Sequence, residues 1–486
     1  MNFKNLLPAA GLLLAQQVSA FCGFYVAKAD ATLFNDRSEI ILVRDGDRTV
    51  ITMSNDFKGD VRDFAIVVPV PVVLERDDIK VVDRSIFQML DNYSSPRLVE
   101  YYDQSPCNQY EMMHDMGEIQ TTTAETDAGA VMKNERAKAL GVTIEAQYTV
   151  GEYDILLLSA SQSGGLQQWL LENGYKVPVT ANEVLQPYIN SNMKFFVVKV
   201  NLKEKQAGGF DHLRPIQIRF ESPRFMLPIR LGMANSRGEQ DMIVYAFTRT
   251  GRVECVNYRT AKVPTDRKVP LFVKEKFGPF YKDLFQRAWR REGRNAVFLE
   301  YAWDVTPTWG NVCCDPCVGP PPMQKEFVDA GVNWTGGPSG GQAFFTRLHV
   351  RYGRDKFPAD LMFQVTPNQD RYQARYILTH PAQGDLQCQE GQRYLEDLYY
   401  RRVRELDELT MLTGWDVTKH RNYSDEILLR LPPEKRKGMV APPLVGPQGP
   451  SDGKGNGNRM PIAAAALLVM LLLALYQQRR GAMARS

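Results

Sequence analysis

The sequence is short of most features that announce a reaction. It has no excess of charge of one sign: 59 basic and 56 acidic residues leave a net +3. That balance gives no electrostatic case for nucleic acid as a partner. Cys314-Asp-Pro-Cys317 has the spacing of half a zinc site, but no second CxxC and no HxxxH pair completes it. The Gly-x-Ser-x-Gly of a nucleophile elbow is missing, because Ser161 stands where its first glycine belongs. Ser163 there reads as the N-cap of a helix over Leu166–Glu172. No unit of roughly 20–50 residues repeats, which sets aside solenoids and propellers. No catalytic residue, cofactor or metal ligand set is expected from these patterns.

Long uncharged apolar runs are also scarce, and they lie at the two ends. Lys4 and the apolar stretch Leu6 to Ala15 precede Val18-Ser19-Ala20, the pattern of a signal peptide over residues 1–20 cleaved after Ala20. Phe21 stands before Cys22 where a lipobox needs a small residue, so cleavage without lipidation is expected. At the other end Pro461 to Tyr476 carries no charge. As a helix this run is roughly 24 Å long at 1.5 Å per residue, short for a bilayer core of about 30 Å. Gln477 and Gln478 extend it, giving a transmembrane helix over 461–478. Arg479, Arg480 and Arg485 make residues 479–486 a basic cytoplasmic tail. Residues 431–460, rich in Pro, Gly and charge, read as a flexible linker. A cleaved C-terminal sorting tag is the alternative reading of this end.

Between these ends lies an ordinary globular composition, 44% hydrophobic and 10% aromatic, which allows a sizeable core. The pattern is mostly β. Ile40–Val43 and Thr49–Met53 flank the turn Arg44-Asp45-Gly46-Asp47. Phe64–Val68 is a strand expected to stop at Pro69 and Pro71. Glu221–Tyr258 reads as a β-meander. Its segment Met242–Thr248 is apolar on both faces, as in a sheet covered on both sides. Helices are expected within Asp83–Tyr102, including a second one from Pro96 to Asp103, and at Ala181–Asn190, Lys274–Arg291 and Glu390–Leu412. Residues 114–133 are polar and aperiodic and read as a mobile loop.

Seven cysteines, an odd number, lie after the signal segment. Cys22, two residues from the mature N-terminus, is expected to pair with Cys107 and staple that end. Cys314 and Cys317 are expected to form a structural disulfide, with a redox dithiol, a metal site or free thiols as the alternatives; the following Val-Gly-Pro-Pro-Pro disfavours the helix a redox pair needs. The strand Ala343–Tyr352 turns Arg347, His349 and Arg351 to one face. Three clustered cations are a weak candidate for holding a carboxylate or phosphate; the other reading pairs them with acids on neighbouring strands.

Several stretches taken in order resemble one family. They are Cys22-Gly-Phe-Tyr-Val-Ala, Leu42-Val-Arg-Asp-Gly-Asp-Arg-Thr-Val, Phe64-Ala-Ile-Val-Val-Pro-Val-Pro, Phe225-Met-Leu-Pro-Ile-Arg-Leu-Gly-Met, Cys314-Asp-Pro-Cys317 and Arg347-Leu-His-Val-Arg-Tyr. The chain resembles the bacterial domain-of-unknown-function family 2330 over most of residues 22–380. The resemblance implies an exported protein, often with a C-terminal membrane segment, and supplies no reaction. The expected architecture is α+β: a β-rich extracytoplasmic region over 21–430, of one or two subdomains, with docked helices. The expected role is a membrane-tethered binding or structural module of the cell envelope, with other envelope proteins as partners. The alternative is an envelope enzyme: a thiol–disulfide oxidoreductase at Cys314/Cys317 or a hydrolase without a recognisable motif.

Overall fold

The structure, a computed structural model, describes residues 24–27, 38–54, 64–107, 140–173, 181–201, 203–204, 213–234, 238–307, 320–336 and 340–439. In chain order it opens with strands β1 (Phe24–Ala27), β2 (Ser38–Asp45), β3 (Arg48–Ser54), β4 (Phe64–Val70) and β5 (Ile79–Val81). Helix α1 (Ser85–Ser94) and strands β6 (Arg97–Tyr102), β7 (Val142–Val150) and β8 (Tyr153–Ala160) follow. Then come α2 (Ser163–Glu172), α3 (Ala181–Asn190), β9 (Lys194–Val200), β10 (Ile216–Glu221), β11 (Met226–Leu227), α4 (Arg230–Ala234) and β12 (Gln240–Thr248). The middle continues as β13 (Val253–Cys255), β14 (Arg259–Lys262), β15 (Arg267–Lys268), α5 (Phe277–Arg291), β16 (Ala296–Asp304) and α6 (Gln324–Ala330). The chain closes with β17 (Phe344–Tyr352), β18 (Leu361–Val365), β19 (Tyr372–Gln373), β20 (Arg375–His380), α7 (Gln389–Thr413), α8 (Asn422–Arg430) and α9 (Pro433–Gly438). The architecture is α+β, as the sequence pattern predicts.

Among the described residues the strands form four sheets. The largest is nine-stranded, in the order β14-β16-β17-β12-β2-β3-β10-β5 with β19 beside β16. A five-stranded sheet, β1-β4-β9-β8-β7, packs on one of its faces, and two three-stranded sheets, β11-β18-β13 and β15-β20-β6, lie beside them. β12 sits near the middle of the large sheet, antiparallel to β17 and parallel to β2. Its alternation explains the layering. Met242, Val244 and Ala246 join Ile40, Leu42, Ile66, Val68, Ile155, Leu157, Phe196 and Val198 in the core shared by the two large sheets. Ile243, Tyr245 and Phe247 face the other way, against Ile86, Phe87 and Leu90 of α1 and Phe327 of α6. The outer face of the five-stranded sheet (Leu158, Phe195, Val197) is covered by Leu166, Trp169 and Leu170 of α2 and Leu185 and Tyr188 of α3. Helices thus close both outer faces of two stacked sheets.

The structure departs from the sequence pattern where a distant segment decides the outcome. Glu221–Tyr258 is not a meander: β10, β11 and β12 belong to different positions in two sheets, and α4 interrupts the run. The start of α4 is held by Asp360, only 4% exposed. Its Oδ1 accepts hydrogen bonds from the backbone N–H groups of Ile229 (2.9 Å) and Arg230 (3.1 Å) and from the Tyr188 hydroxyl (2.6 Å). Its Oδ2 meets Arg230 Nη2 at 2.9 Å. A carboxylate at a helix N-terminus satisfies N–H groups that have no partner within the helix.

Arg97–Tyr102, expected as a second helix after Pro96, is strand β6, parallel to β20. β4 runs through Pro69, which pairs with Phe195, instead of ending there. Among the described residues β1 pairs with β4 from Phe64 to Val67, so no ladder bond described there needs the missing N–H of Pro69. Ser163 is the first residue of α2 rather than its cap, and its hydroxyl donates to Gln186 Oε1 at 2.6 Å. Within the stretch read as linker from residue 431, Leu431 is 1% exposed and α9 is formed, with Lys435 Nζ bonded to Glu396 at 2.6 Å.

Candidate functional site on the central strands

The alternation of β17 places Arg347, His349 and Arg351 on the face covered by α1 and α5. All three meet carboxylates. Arg347 is 2% exposed, and its Nε donates to Glu300 Oε2 of β16 at 2.7 Å. Its Nη1 donates to Asp91 Oδ1 of α1 at 2.7 Å, and its guanidinium lies 5.3 Å from the centre of the Tyr245 ring. His349 stands between two acids, with Nδ1 2.8 Å from Glu300 Oε1 and Nε2 3.1 Å from Asp241 Oδ1. The Phe285 ring of α5 stacks on its imidazole at 3.8 Å. Arg351 grips both oxygens of Asp241, at 2.8 and 2.6 Å, and also donates to Gln286. Three cations therefore face three carboxylates in a closed ladder.

The electrostatics follow from this geometry. Burial opposes ionisation of Glu300, yet the charges of His349 and Arg347 overcome it and bring the carboxyl down to about 2. Burial likewise works against the Asp241 carboxylate, and His349 and Arg351 reverse the effect and hold it well below its ordinary value. Burial would discharge His349, but Glu300 and Asp241 raise its pKa above the usual imidazole value. Both imidazole nitrogens face a carboxylate, so neither offers a free lone pair for general-base work or metal ligation. The ladder holds charge in place. Of the two readings of Arg347, His349 and Arg351, the structure shows the pairing with acids.

The acids were the part that sequence reasoning missed, although Glu300 left a signal. It is a lone charge in the apolar run Ala296–Trp303, a position where an unpaired carboxylate is seldom found.

Cys107 is joined to Cys388, with an S–S distance of 2.03 Å and 281 residues between them, and not to Cys22 as expected. The sheet brings the two together. β6 and β20 run side by side to their ends, where Asp103 N donates to the carbonyl of His380 at 2.9 Å. Cys107 and Cys388 lie shortly after those ends, and Cys388 caps α7 by accepting from Gly391 N. Cys22, Cys313, Cys314 and Cys317 lie outside the described residues, as do the residues before Phe24, the loop 114–133 and everything after Met439. Among the described residues one cysteine is free, the buried Cys255, whose thiol burial pushes up and makes unreactive. Among them, too, no group of three or more His, Cys, Asp and Glu side chains could hold a metal ion. No helix among them is long and apolar enough to cross a membrane, and residues 461–478 are not part of that set.

Two stacked sheets closed by helices, with buried charge used as a fastening, define a folded α+β module. The chain belongs to domain-of-unknown-function family 2330, described as an uncharacterized protein conserved in bacteria, whose model matches residues 16–364. No curated protein and no solved structure matches the chain.

Proposed function

We propose that the protein is an exported, membrane-tethered binding or structural module of the bacterial cell envelope. The observation that carries this reading is the Cys107–Cys388 cross-link. Disulfides persist in oxidising compartments and are rare in the reducing cytosol. The ends of the sequence support the same placement. A signal-peptide pattern precedes the folded region, and an uncharged run closed by arginines follows it. The charge ladder fits a module that holds its shape and presents a surface, since its cations are spent on its own acids.

The test is made in cells. Non-reducing peptide mapping of the full chain should recover Cys107 linked to Cys388. A membrane-impermeant protease added to spheroplasts should digest the folded region and spare the arginine tail. Both thiols free and the folded region protected would sink the proposal. A soluble chain whose C-terminal peptide lacks Tyr476 would replace the tether with a cleaved sorting tag.

A further inference from the structure

A pocket of about 200 Å³ opens on the large sheet near its β5 edge. Three cations from three strands converge on it: Arg48 of β3, Lys80 of β5 and Arg219 of β10. Strand register puts them on one face. Gln217 of β10 pairs across to both Thr52 and Lys80, Arg219 pairs with Val50, and Arg48 with Glu221. Its floor is made by close approach of α6. Gly331, which caps that helix with φ at +93°, sits where an added Cβ would lie 2.8 Å from Val50 Cγ1. A larger residue there would push α6 off the sheet and close the space.

Two of these cations have no carboxylate in hydrogen-bond contact. Arg219 is committed, with Nε and Nη2 on Asp78 Oδ1 at 3.1 and 2.9 Å. Arg48 has only a neutral acceptor, the Asn333 side-chain oxygen at 3.0 Å. Among the described residues the Lys80 ammonium makes no hydrogen bond or ion pair, although the Asp329 carboxylate acts on it, and the Asp77 side chain on the lip makes none either. Among the lining residues three cations face two carboxylates, Asp77 and Asp78, while Asp329 acts on Lys80 and Asp45 and Glu221 act on Arg48 without a hydrogen bond to them. Burial and the neighbouring Arg219 charge push the Arg48 guanidinium below its ordinary value, and the carboxylates of Asp45 and Glu221 oppose them only in part.

We infer that this pocket binds a small oxyanion, a carboxylate or phosphate group of a free solute, held between Arg48 and Lys80. The ladder on β17 cannot serve that purpose because its cations are saturated; here the geometry leaves two of them available. A guanidinium and an ammonium supply charge-assisted donors, the strongest hydrogen bonds to carboxylate or phosphate oxygens. The inference rests on the reading of the chain as a binding module and names a ligand class for it.

The experiment uses the full purified chain and titrates inorganic phosphate and succinate separately, at constant ionic strength, by calorimetry. Saturable binding of at least one is expected, and the tighter of the two tells a phosphate from a carboxylate ligand. Lys80→Gln should weaken binding about tenfold, as losing one charge-assisted hydrogen bond would. Asp77→Asn should tighten it, because the opposing charge is gone. Lys419→Gln, a change at an 80% exposed cation elsewhere, should leave it unchanged. No saturation with either probe by about 10 mM, or equal effects of Lys80→Gln and Lys419→Gln, overturns the inference. Localisation is read in cells and binding on purified chain, so the two can fail separately.

Discussion

Arg347 is buried against two carboxylates from different elements, and that is why its loss would cost more than its hydrogen bonds. Arg347→Met keeps most of the volume but removes the guanidinium that Glu300 and Asp91 share, leaving Glu300 with His349 alone. Breaking a buried pair by removing one partner costs about 3–5 kcal/mol. The expected outcome is a drop of that size in unfolding free energy by urea titration; a loss below about 1 kcal/mol would show that the ladder contributes little. Acid tells the same story from the other side. Glu300 is depressed in the folded state from an ordinary 4.5 to about 2. Its contribution is therefore complete above pH 4.5 and lost as pH falls toward 2. That the three cations share one face was legible from alternation along β17. That they meet acids was not, because Asp91, Asp241 and Glu300 come from a helix and two other strands.

The helical pair α7–α8 buries an acid whose charge is poorly compensated. Glu405 is 2% exposed, its Oε2 accepts from the Tyr423 hydroxyl at 2.8 Å, and its Oε1 has no hydrogen-bond partner. Arg401 Nε stops 3.8 Å away. Burial raises the carboxyl from 4.5 to about 7, against the pull of Tyr423, Arg401, Arg402 and Lys268. The folded value lies above the unfolded one, so the stability it contributes is full below pH 4.5 and lost as pH rises through about 7. The gap corresponds to about 3 kcal/mol. Glu405→Gln should flatten the pH dependence of stability between pH 5 and 8 and make the chain more stable than wild type at pH 8. Parallel pH profiles for the two would rule this out. At this scale the sequence is a good guide where an element satisfies itself: α5, α7 and the β2–β3 hairpin lie close to where periodicity puts them. It misleads where a partner is remote. β6 looks helical until β20 runs alongside it, and α4 needs Asp360, 130 residues further on.

The family model stops at residue 364, inside β18, but the fold does not. β19 pairs with β16, and β20 is the strand between β15 and β6. Tyr376 and Leu378 of β20 belong to the main core, as do Leu406 and Leu409 of α7. A chain ending at residue 364 should therefore fail to fold, whereas one ending after Met439 should unfold as cooperatively as the full chain. Equal cooperativity of the two in urea would refute this. The pattern of apolar strands could reveal an α+β core, but not that its last strand closes beside one of its first.

That closure sets an order of events. β2, apolar on both faces, is made long before its parallel neighbour β12, and β6 long before β20. Parallel strands this far apart in sequence pair only after a large loop has closed, which is slow. A growing chain must carry open strand edges through most of its own synthesis, and in that interval it is most exposed to aggregation. A holding chaperone would matter most to this protein before residue 380 has been made.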